Sequence, residues 1–128
     1  EHANRFIDLT DRYDVNDLLF VSSVLITDYS SVVYEASILN LPMLFYAFDL
    51  ESYCKERDFY CDYASFVPGR IVRTMEELTH ALQTKDYQQE KVAPFYTRNF
   101  DDTAGKATQN VVHFAKELLH IPTDHLPL

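Results

Sequence analysis

The chain has 128 residues and 47% hydrophobic content, enough to close one core of ordinary domain size. Its formal net charge of -9 disfavours nucleic acid as a partner, because a nucleic-acid binder needs a basic surface to neutralise phosphates. No apolar run reaches the ~20 residues of a membrane span, and Cys54 and Cys61 lack metal-ligand spacing, which predicts free thiols in the reducing cytoplasm.

The first half of the chain alternates short apolar runs with helical patterns, and this rhythm is typical of a parallel α/β sheet. Strands are predicted at residues 5–9, 24–27 and 43–48. The predicted helices cover residues 15–20, after an N-cap at Asp14, and 32–39, before Pro42. The unbroken apolar run of the third strand favours burial on both of its faces.

The second half is predicted to be mostly helical, around one short edge strand at residues 71–72 that follows a turn at Pro68 and Gly69. Thr74 is the predicted N-cap of a helix with acidic residues in its first turn. An aromatic-rich loop covers residues 59–63. Two further helices are predicted at residues 51–56 and 104–119.

The last predicted helix is amphipathic, and we expect it to pack on a surface by one face. Its apolar stripe consists of Ala107, Val111, Ala115 and Leu118. Because the chain begins at Glu1 without a methionine and soon enters an apolar run, we expect it to be a segment of a longer protein. Residues 1–120 are predicted to form one domain, followed by a flexible tail at 121–128.

The stretch from Val24 to Glu35 combines an apolar strand, a polar turn and a helix start. The first turn of a helix offers unpaired N–H groups and a partial positive charge, so this arrangement predicts a site for a phosphate-bearing ligand. Ser30 and Ser31 both suit the N-cap, but one serine suffices, which leaves a second hydroxyl for an oxyanion. Asp28 ends its strand at the carboxyl edge, where open α/β sheets bind ligands.

Glu35 does not have the spacing of a capping-box partner, because the third residue after Ser30 is Val33 and the third after Ser31 is Tyr34. Ser31 and Glu35 are four residues apart and therefore share a helix face about 6 Å apart along the axis. That separation suits a phosphate at the helix end and a ribose diol one turn further on. A solvated glutamate is an equally open interpretation.

No catalytic base, metal centre or cofactor motif is identifiable in the chain, so we expect neither a metal nor a cofactor. The five histidines are scattered, and residues 104–108 resemble the end of a P-loop but have Phe100 where the upstream glycine belongs. Asp28 could also be a turn-forming residue or the phosphoacceptor of a non-catalytic receiver-like module. A receiver would need further acids near its first strand and a late lysine, and no convincing set of these is present.

The combination of motifs resembles the CDP-glycerol glycerophosphotransferase family of teichoic-acid primases and polymerases. The similarity spans roughly residues 6–114, and its motifs lie at residues 14–19, 24–32, 41–42, 45–46, 49–50, 53, 59–63, 67–69, 100–101 and 105–107. It implies a GT-B fold, in which two Rossmann-like domains face each other. Residues 1–120 would be most of the C-terminal, donor-binding domain, opposite an N-terminal domain of the same chain.

The same resemblance implies roles for individual residues. Ser30 and Ser31 would hold the donor pyrophosphate, and Glu35 would take a place where the family often has an aspartate that contacts the donor. Asp28 and Thr27 would shape the turn. The chain departs from the family pattern in two places, with Asp58 where a glycine and Arg70 where a proline is common. Phe59 and Tyr60 match a family motif without an assigned ligand contact.

The implied activity is transfer of a polyol phosphate, glycerol phosphate in the first place, from a CDP-activated donor to a lipid-linked acceptor in teichoic-acid synthesis. The family's catalytic histidine would lie upstream of Glu1, so the segment alone is expected to be inactive. The parent protein would be peripheral on the inner face of a bacterial cell membrane. A GT-B transferase that uses a nucleotide sugar is the alternative within the same fold.

Overall fold

A parallel sheet of three strands organises the part of the chain that the computed structural model describes, residues 5–57, 63–100 and 103–120. The strands are β1 (Leu25–Thr27), β2 (Met43–Tyr46) and β3 (Arg70–Val72), in that spatial order. The helices are α1 (Val15–Val21), α2 (Val33–Ile38), α3 (Leu50–Arg57), α4 (Tyr63–Phe66), α5 (Met75–Thr84), α6 (Val92–Phe100) and α7 (Ala107–Leu118), with a 3₁₀ turn at Gln89–Lys91. The predicted α/β sheet flanked by helices is confirmed.

Strand β2 lies at the centre of the sheet and is covered on both faces, as its unbroken apolar run predicts. Its residues Met43, Leu44 and Phe45 are all 0% exposed. Leu44 packs with Val72 and α5 on one face, whereas Phe45 packs with α2 and α6 on the other. The two apolar faces of one strand therefore hold both helical layers in place.

The predicted turn at Pro68 and Gly69 brings β3 against β2. A Cβ atom built on Gly69 would collide with the carbonyl oxygen of Met43 and would lie 3.0 Å from the Phe45 ring. Glycine is required here because the two backbones approach too closely for a side chain. This approach sets the register in which Phe45 pairs with Ile71.

Two predicted helix starts are confirmed in their hydrogen bonding. The Asp14 carboxylate accepts from the backbone N–H of Asn16 at 2.8 Å, at the start of α1. The Thr74 hydroxyl accepts from the N–H of Glu77 at 3.2 Å, and the Glu77 carboxylate accepts from the N–H of Arg73 at 2.7 Å. The Thr74 and Glu77 bonds form a reciprocal cap that resembles a capping box, with the N–H of Arg73 in place of that of the N-cap residue Thr74, and they stabilise the start of α5.

The strand predicted at residues 5–9 is wrong, because this segment is irregular and pairs with no strand of the described chain. Phe6 and Ile7 are each 77% exposed. A turn ends the segment early: the Asp8 carboxylate accepts from the N–H of Thr10 at 2.9 Å, and Asp11 has a φ of 59°. An apolar run becomes a strand only where a neighbouring strand completes its hydrogen bonds.

Helices α4 and α6 have no counterpart in the predicted elements. Pro94 lies in the first turn of α6, where no backbone N–H is needed, and Val92 and Phe95 bury the helix against α2. Tyr63, placed in a loop by the sequence, begins α4 and is 5% exposed. The rest of the aromatic loop, residues 59–62, and the tail at 121–128 lie outside the described residues.

Helix α7 is shorter than predicted, and it does not pack by its apolar face within the described chain. Gly105 has a φ of +74° in the turn before it, which delays the helix start to Ala107. None of its residues is buried, and Val111 and Leu118 are 66% and 64% exposed. Amphipathic spacing predicted the helix correctly, but spacing does not supply the surface that covers it.

Candidate functional site

The carboxyl ends of all three parallel strands lie at one edge of the sheet, and the turn at residues 28–31 follows β1 there. Segment 47–49 leaves β2 at the same edge and leads into α3, and Arg73 follows β3. This is the edge at which open α/β sheets bind ligands. The structure thus places the predicted site residues Thr27, Asp28, Ser30 and Ser31 at or next to the carboxyl edge of the sheet.

The two serines lie before the helix and not at its N-cap position, which is a correction to the predicted capping. Helix α2 begins at Val33, and the N-cap residue Val32 makes no side-chain cap. The Ser30 hydroxyl accepts from the N–H of Val32 at 3.3 Å and thereby closes the turn. Ser31 is exposed, and within the described chain its hydroxyl makes no hydrogen bond.

Tyr29 is the one residue of the 28–31 turn whose side chain is not exposed. Its ring stacks on the ring of Tyr53 in α3, with 3.7 Å between centroids and 8° between planes. Its hydroxyl donates to the Asp49 carboxylate at 2.9 Å. The turn is therefore joined to the start of α3 through both the ring and the hydroxyl of one side chain.

A second tyrosine, Tyr63, contacts the same turn from the core side. The Tyr63 hydroxyl donates to the backbone carbonyl of Asp28 at 2.8 Å, while its ring packs edge-on against Phe45 in the core. Burial raises the pKa of Tyr29 and of Tyr63 well above its ordinary value, and the neighbouring Asp49 raises that of Tyr29 further. Both phenols therefore stay protonated and act as hydrogen-bond donors at neutral pH.

Sequence reasoning did not assign a function to Tyr29, Tyr53 or Tyr63, or to Asp49, which accepts the Tyr29 hydrogen bond. Tyr29 and Asp49 are 20 residues apart, and Asp28 and Tyr63 are 35 apart. No helical or strand period relates positions at such distances. The only signal was that Tyr29, Asp49, Tyr53 and Tyr63 all fall within motifs of the family resemblance.

Glu35 is exposed in the first turn of α2 and makes no capping hydrogen bond in the described chain, as the spacing predicts. It lines a shallow groove of about 190 Å³ with Asn16 and Phe20 of α1. Ser31 precedes the helix, so the ideal helical separation of the two side chains does not strictly apply. The groove lies between α1 and α2.

A cavity of about 370 Å³ opens at the same edge, between the end of β2 and the residue after β3. Its lining includes Asp49, Ser52 and Arg73. Arg73, which sequence reasoning missed, places a cation beside the carboxyl edge. Such a group can contribute to binding of an anionic ligand.

The departure from the family pattern at Arg70 lies away from this edge. Arg70 is the first residue of β3, at the amino end of the strand. Its guanidinium forms an ion pair with Asp86, and its backbone N–H donates to the carbonyl of Tyr87 at 3.0 Å. The arginine ties β3 to the segment after α5, whereas the other departure, Asp58, lies outside the described residues.

The parallel sheet, its two helical layers and its polar carboxyl edge define a Rossmann-like α/β domain of the kind found in GT-B transferases. In the residues that the structure describes, no helix has the length and apolar character to cross a bilayer.

The sequence profile of CDP-Glycerol:Poly(glycerophosphate) glycerophosphotransferase matches residues 1–116. The chain belongs to this family, and the resemblance noted from the sequence is confirmed.

Two relatives and one solved structure show how the chain relates to whole enzymes. It is 48% identical over 112 residues to the teichoic acid ribitol-phosphate polymerase TarK of Staphylococcus aureus (strain NCTC 8325 / PS 47), covering 88% of the chain and 22% of TarK. It is 36% identical over 119 residues to the teichoic acid glycerol-phosphate primase of Bacillus subtilis (strain 168), covering 93% of the chain and 31% of the primase.

The solved structure is a variant of the wall teichoic acid polymerase TagF soaked with CDPG, with a TM-score of 0.70 and 34% identity. The match covers 97% of the present chain and 32% of TagF. The chain therefore spans less than a third of the length of each of these three proteins.

Proposed function

We propose that the chain is the donor-binding part of an enzyme that transfers a polyol phosphate from a CDP-activated donor to a hydroxyl of a lipid-linked acceptor. The observation that carries this proposal is the exposed hydroxyl pair of the 28–31 turn at the carboxyl edge, in a chain that matches the family along residues 1–116. The TagF structure soaked with CDPG supports a CDP-linked ligand for this fold.

The proposed reaction forms a bond between the acceptor oxygen and the phosphorus that carries the polyol, and breaks the bond between that phosphorus and CMP. The acceptor hydroxyl loses its proton, and negative charge on the phosphoryl oxygens must be stabilised as CMP departs. Ser30 and Ser31 would donate hydrogen bonds to the pyrophosphate, and Arg73 would add a positive charge nearby. Glu35 would accept hydrogen bonds from the ribose hydroxyls. The proton acceptor is not assigned to this chain.

Calorimetry with CDP-glycerol on the full-length protein tests the assigned residues. Ser31→Ala and Glu35→Ala are each expected to weaken binding by about tenfold to a hundredfold, because a hydrogen bond to a charged group contributes about 1.5–3 kcal/mol. Ser22→Ala is the matched control, since Ser22 precedes β1 and lies at the opposite edge of the sheet. Unchanged affinity in both test variants, with folding intact, would refute the assigned roles.

A direct comparison of donors can identify which polyol phosphate the enzyme transfers. The resemblance pointed first to glycerol phosphate, whereas the identity is higher to the ribitol-phosphate polymerase, 48%, than to the glycerol-phosphate primase, 36%. Ribitol phosphate is therefore a second candidate. Turnover of the full-length protein with CDP-ribitol and CDP-glycerol at equal concentrations distinguishes the two, and a nucleotide sugar in the same assay tests the sugar-transferase alternative.

The parent protein is proposed to act in the cytoplasm, at the inner face of the membrane, because its acceptor is lipid-linked. The N-terminal domain of the same parent chain would supply the opposite wall of the donor cleft. The receiver-like interpretation of Asp28 loses its support, since the family match accounts for the motif in which Asp28 lies.

A further inference from the structure

In the 28–31 turn three side chains face solvent, and the fourth is held against the protein by a hydrogen bond. Asp28, Ser30 and Ser31 are exposed, whereas Tyr29 turns inward between them. A turn of four residues has no core of its own, so its shape depends on what holds it from outside. Among the contacts with described residues, two hydrogen bonds and the stacking on Tyr53 come from elements far away in the sequence.

The first attachment joins the turn to the start of α3. Asp49 accepts the Tyr29 hydroxyl through its side chain, while its backbone carbonyl accepts from the N–H of Tyr53 at 3.0 Å and from the Ser52 hydroxyl at 2.9 Å. Tyr53 in turn stacks on the Tyr29 ring. Asp49, just before α3, therefore binds the Tyr29 hydroxyl, and Tyr53, in the first turn of α3, packs on the Tyr29 ring.

The second attachment fixes the orientation of a peptide group. The hydrogen bond from Tyr63 engages the Asp28 carbonyl, and Tyr63 is itself held in the core beside Phe45. A carbonyl that rotated toward the exposed side would present its negative end to an anion. Holding it on Tyr63 leaves the exposed side of the turn to the serine hydroxyls.

We propose that Asp49 and Tyr63 are positioning residues of the donor site, which hold the 28–31 turn in the conformation that binds the donor pyrophosphate. This inference rests on the proposed function and deepens it. If a released turn adopts the binding conformation only part of the time, the measured association constant falls to that fraction of its original value. Both residues act through Tyr29 or the backbone and need not touch the ligand.

The test uses the full-length protein and measures the affinity for CDP by calorimetry. Tyr29→Phe, Asp49→Ala and Tyr63→Phe are each expected to weaken CDP binding about fivefold to tenfold, the effect of one lost hydrogen bond. The double variant Tyr29→Phe with Asp49→Ala should bind no more weakly than the weaker single variant, because both changes remove the same bond. Asp49→Asn should bind within about twofold of wild type, since its side-chain oxygen still accepts the bond.

Tyr34→Phe is the matched control. Tyr34 lies in α2, is also half-buried in an aromatic cluster, and its hydroxyl makes no hydrogen bond within the described chain. The Tyr34→Phe variant should bind CDP with the affinity of wild type. The calorimetric stoichiometry separates positioning from folding: a misfolded fraction lowers the number of sites, whereas a released turn lowers the affinity of every site.

Three results would overturn the inference in distinguishable ways. If both tyrosine variants bind CDP like wild type while Ser31→Ala weakens binding, the positioning role is wrong and the donor site stands. If the variants lose sites without losing affinity, Asp49 and Tyr63 only maintain the fold. If Ser31→Ala, Glu35→Ala and all positioning variants bind CDP normally, the proposed donor site is wrong and this inference fails with it.

Discussion

The two glycines of the chain are expected to respond differently to substitution by alanine, because the structure disfavours a side chain at each for a different reason. At Gly69 a Cβ atom would meet the Met43 carbonyl oxygen, and its next neighbours are the Phe45 ring at 3.0 Å and the Met43 carbonyl carbon at 3.1 Å. The main obstacle is backbone within the sheet, which no rotamer change relieves. At Gly105 nothing lies within 4 Å, but φ is +74°.

The expected losses of stability follow from these two causes. Gly69→Ala forces β3 away from β2 and should cost about 3 kcal/mol, the upper part of the range for overpacked sites. Gly105→Ala only places a side chain in the left-handed region, which costs about 1 kcal/mol. Gly105→Asn should cost less than Gly105→Ala, because asparagine tolerates that conformation.

Native-state hydrogen exchange of the β2 amides measures the first loss, since it reports the opening free energy of individual segments. The Gly105 variants serve as the control, because their turn lies outside the sheet. Gly69→Ala with β2 exchange like that of wild type would refute the steric argument. A larger effect at Gly105 than at Gly69 would refute the ranking.

Two further predictions concern stability. Phe95→Ala should lower the free energy of unfolding by about 3–5 kcal/mol, because Phe95 is 3% exposed in the core. Phe114 is 61% exposed, so Phe114→Ala should change the stability of this domain by less than about 0.5 kcal/mol. Thermal unfolding of the two variants checks the contrast. The raised pKa values of Tyr29 and Tyr63 predict a loss of stability at alkaline pH. In the unfolded chain both phenols ionise near their ordinary pKa of about 10, while the folded chain keeps its protons, so their contribution is complete below about pH 10 and falls above it. Denaturation across pH 8 to about 11 should show a shallower fall for Tyr29→Phe, and an identical fall would contradict the assignment.

Much of the fold follows from local signals. The apolar run at β2 predicted a doubly covered strand, and Asp14 and Thr74 predicted two helix starts, because propensity, capping and periodicity act within a few residues. The strand predicted at residues 5–9 shows the limit of this reasoning. An apolar pattern states what a segment could bury, but a partner must be present to bury it, and in the described chain none pairs with it.

The candidate site also has one part that follows from local sequence and one part that follows only from the tertiary structure. The sequence by itself determined the strand and the polar turn, since these depend on consecutive residues from Val24 to Glu35, and it determined the family through motifs spread along most of the chain. Only the tertiary structure decided that Tyr29 points inward onto Asp49 and that Tyr63 holds the Asp28 carbonyl. The reason is physical: these contacts join residues 20 and 35 positions apart, and only the parallel sheet, which brings the carboxyl ends of its strands to one edge, places them within hydrogen-bond distance.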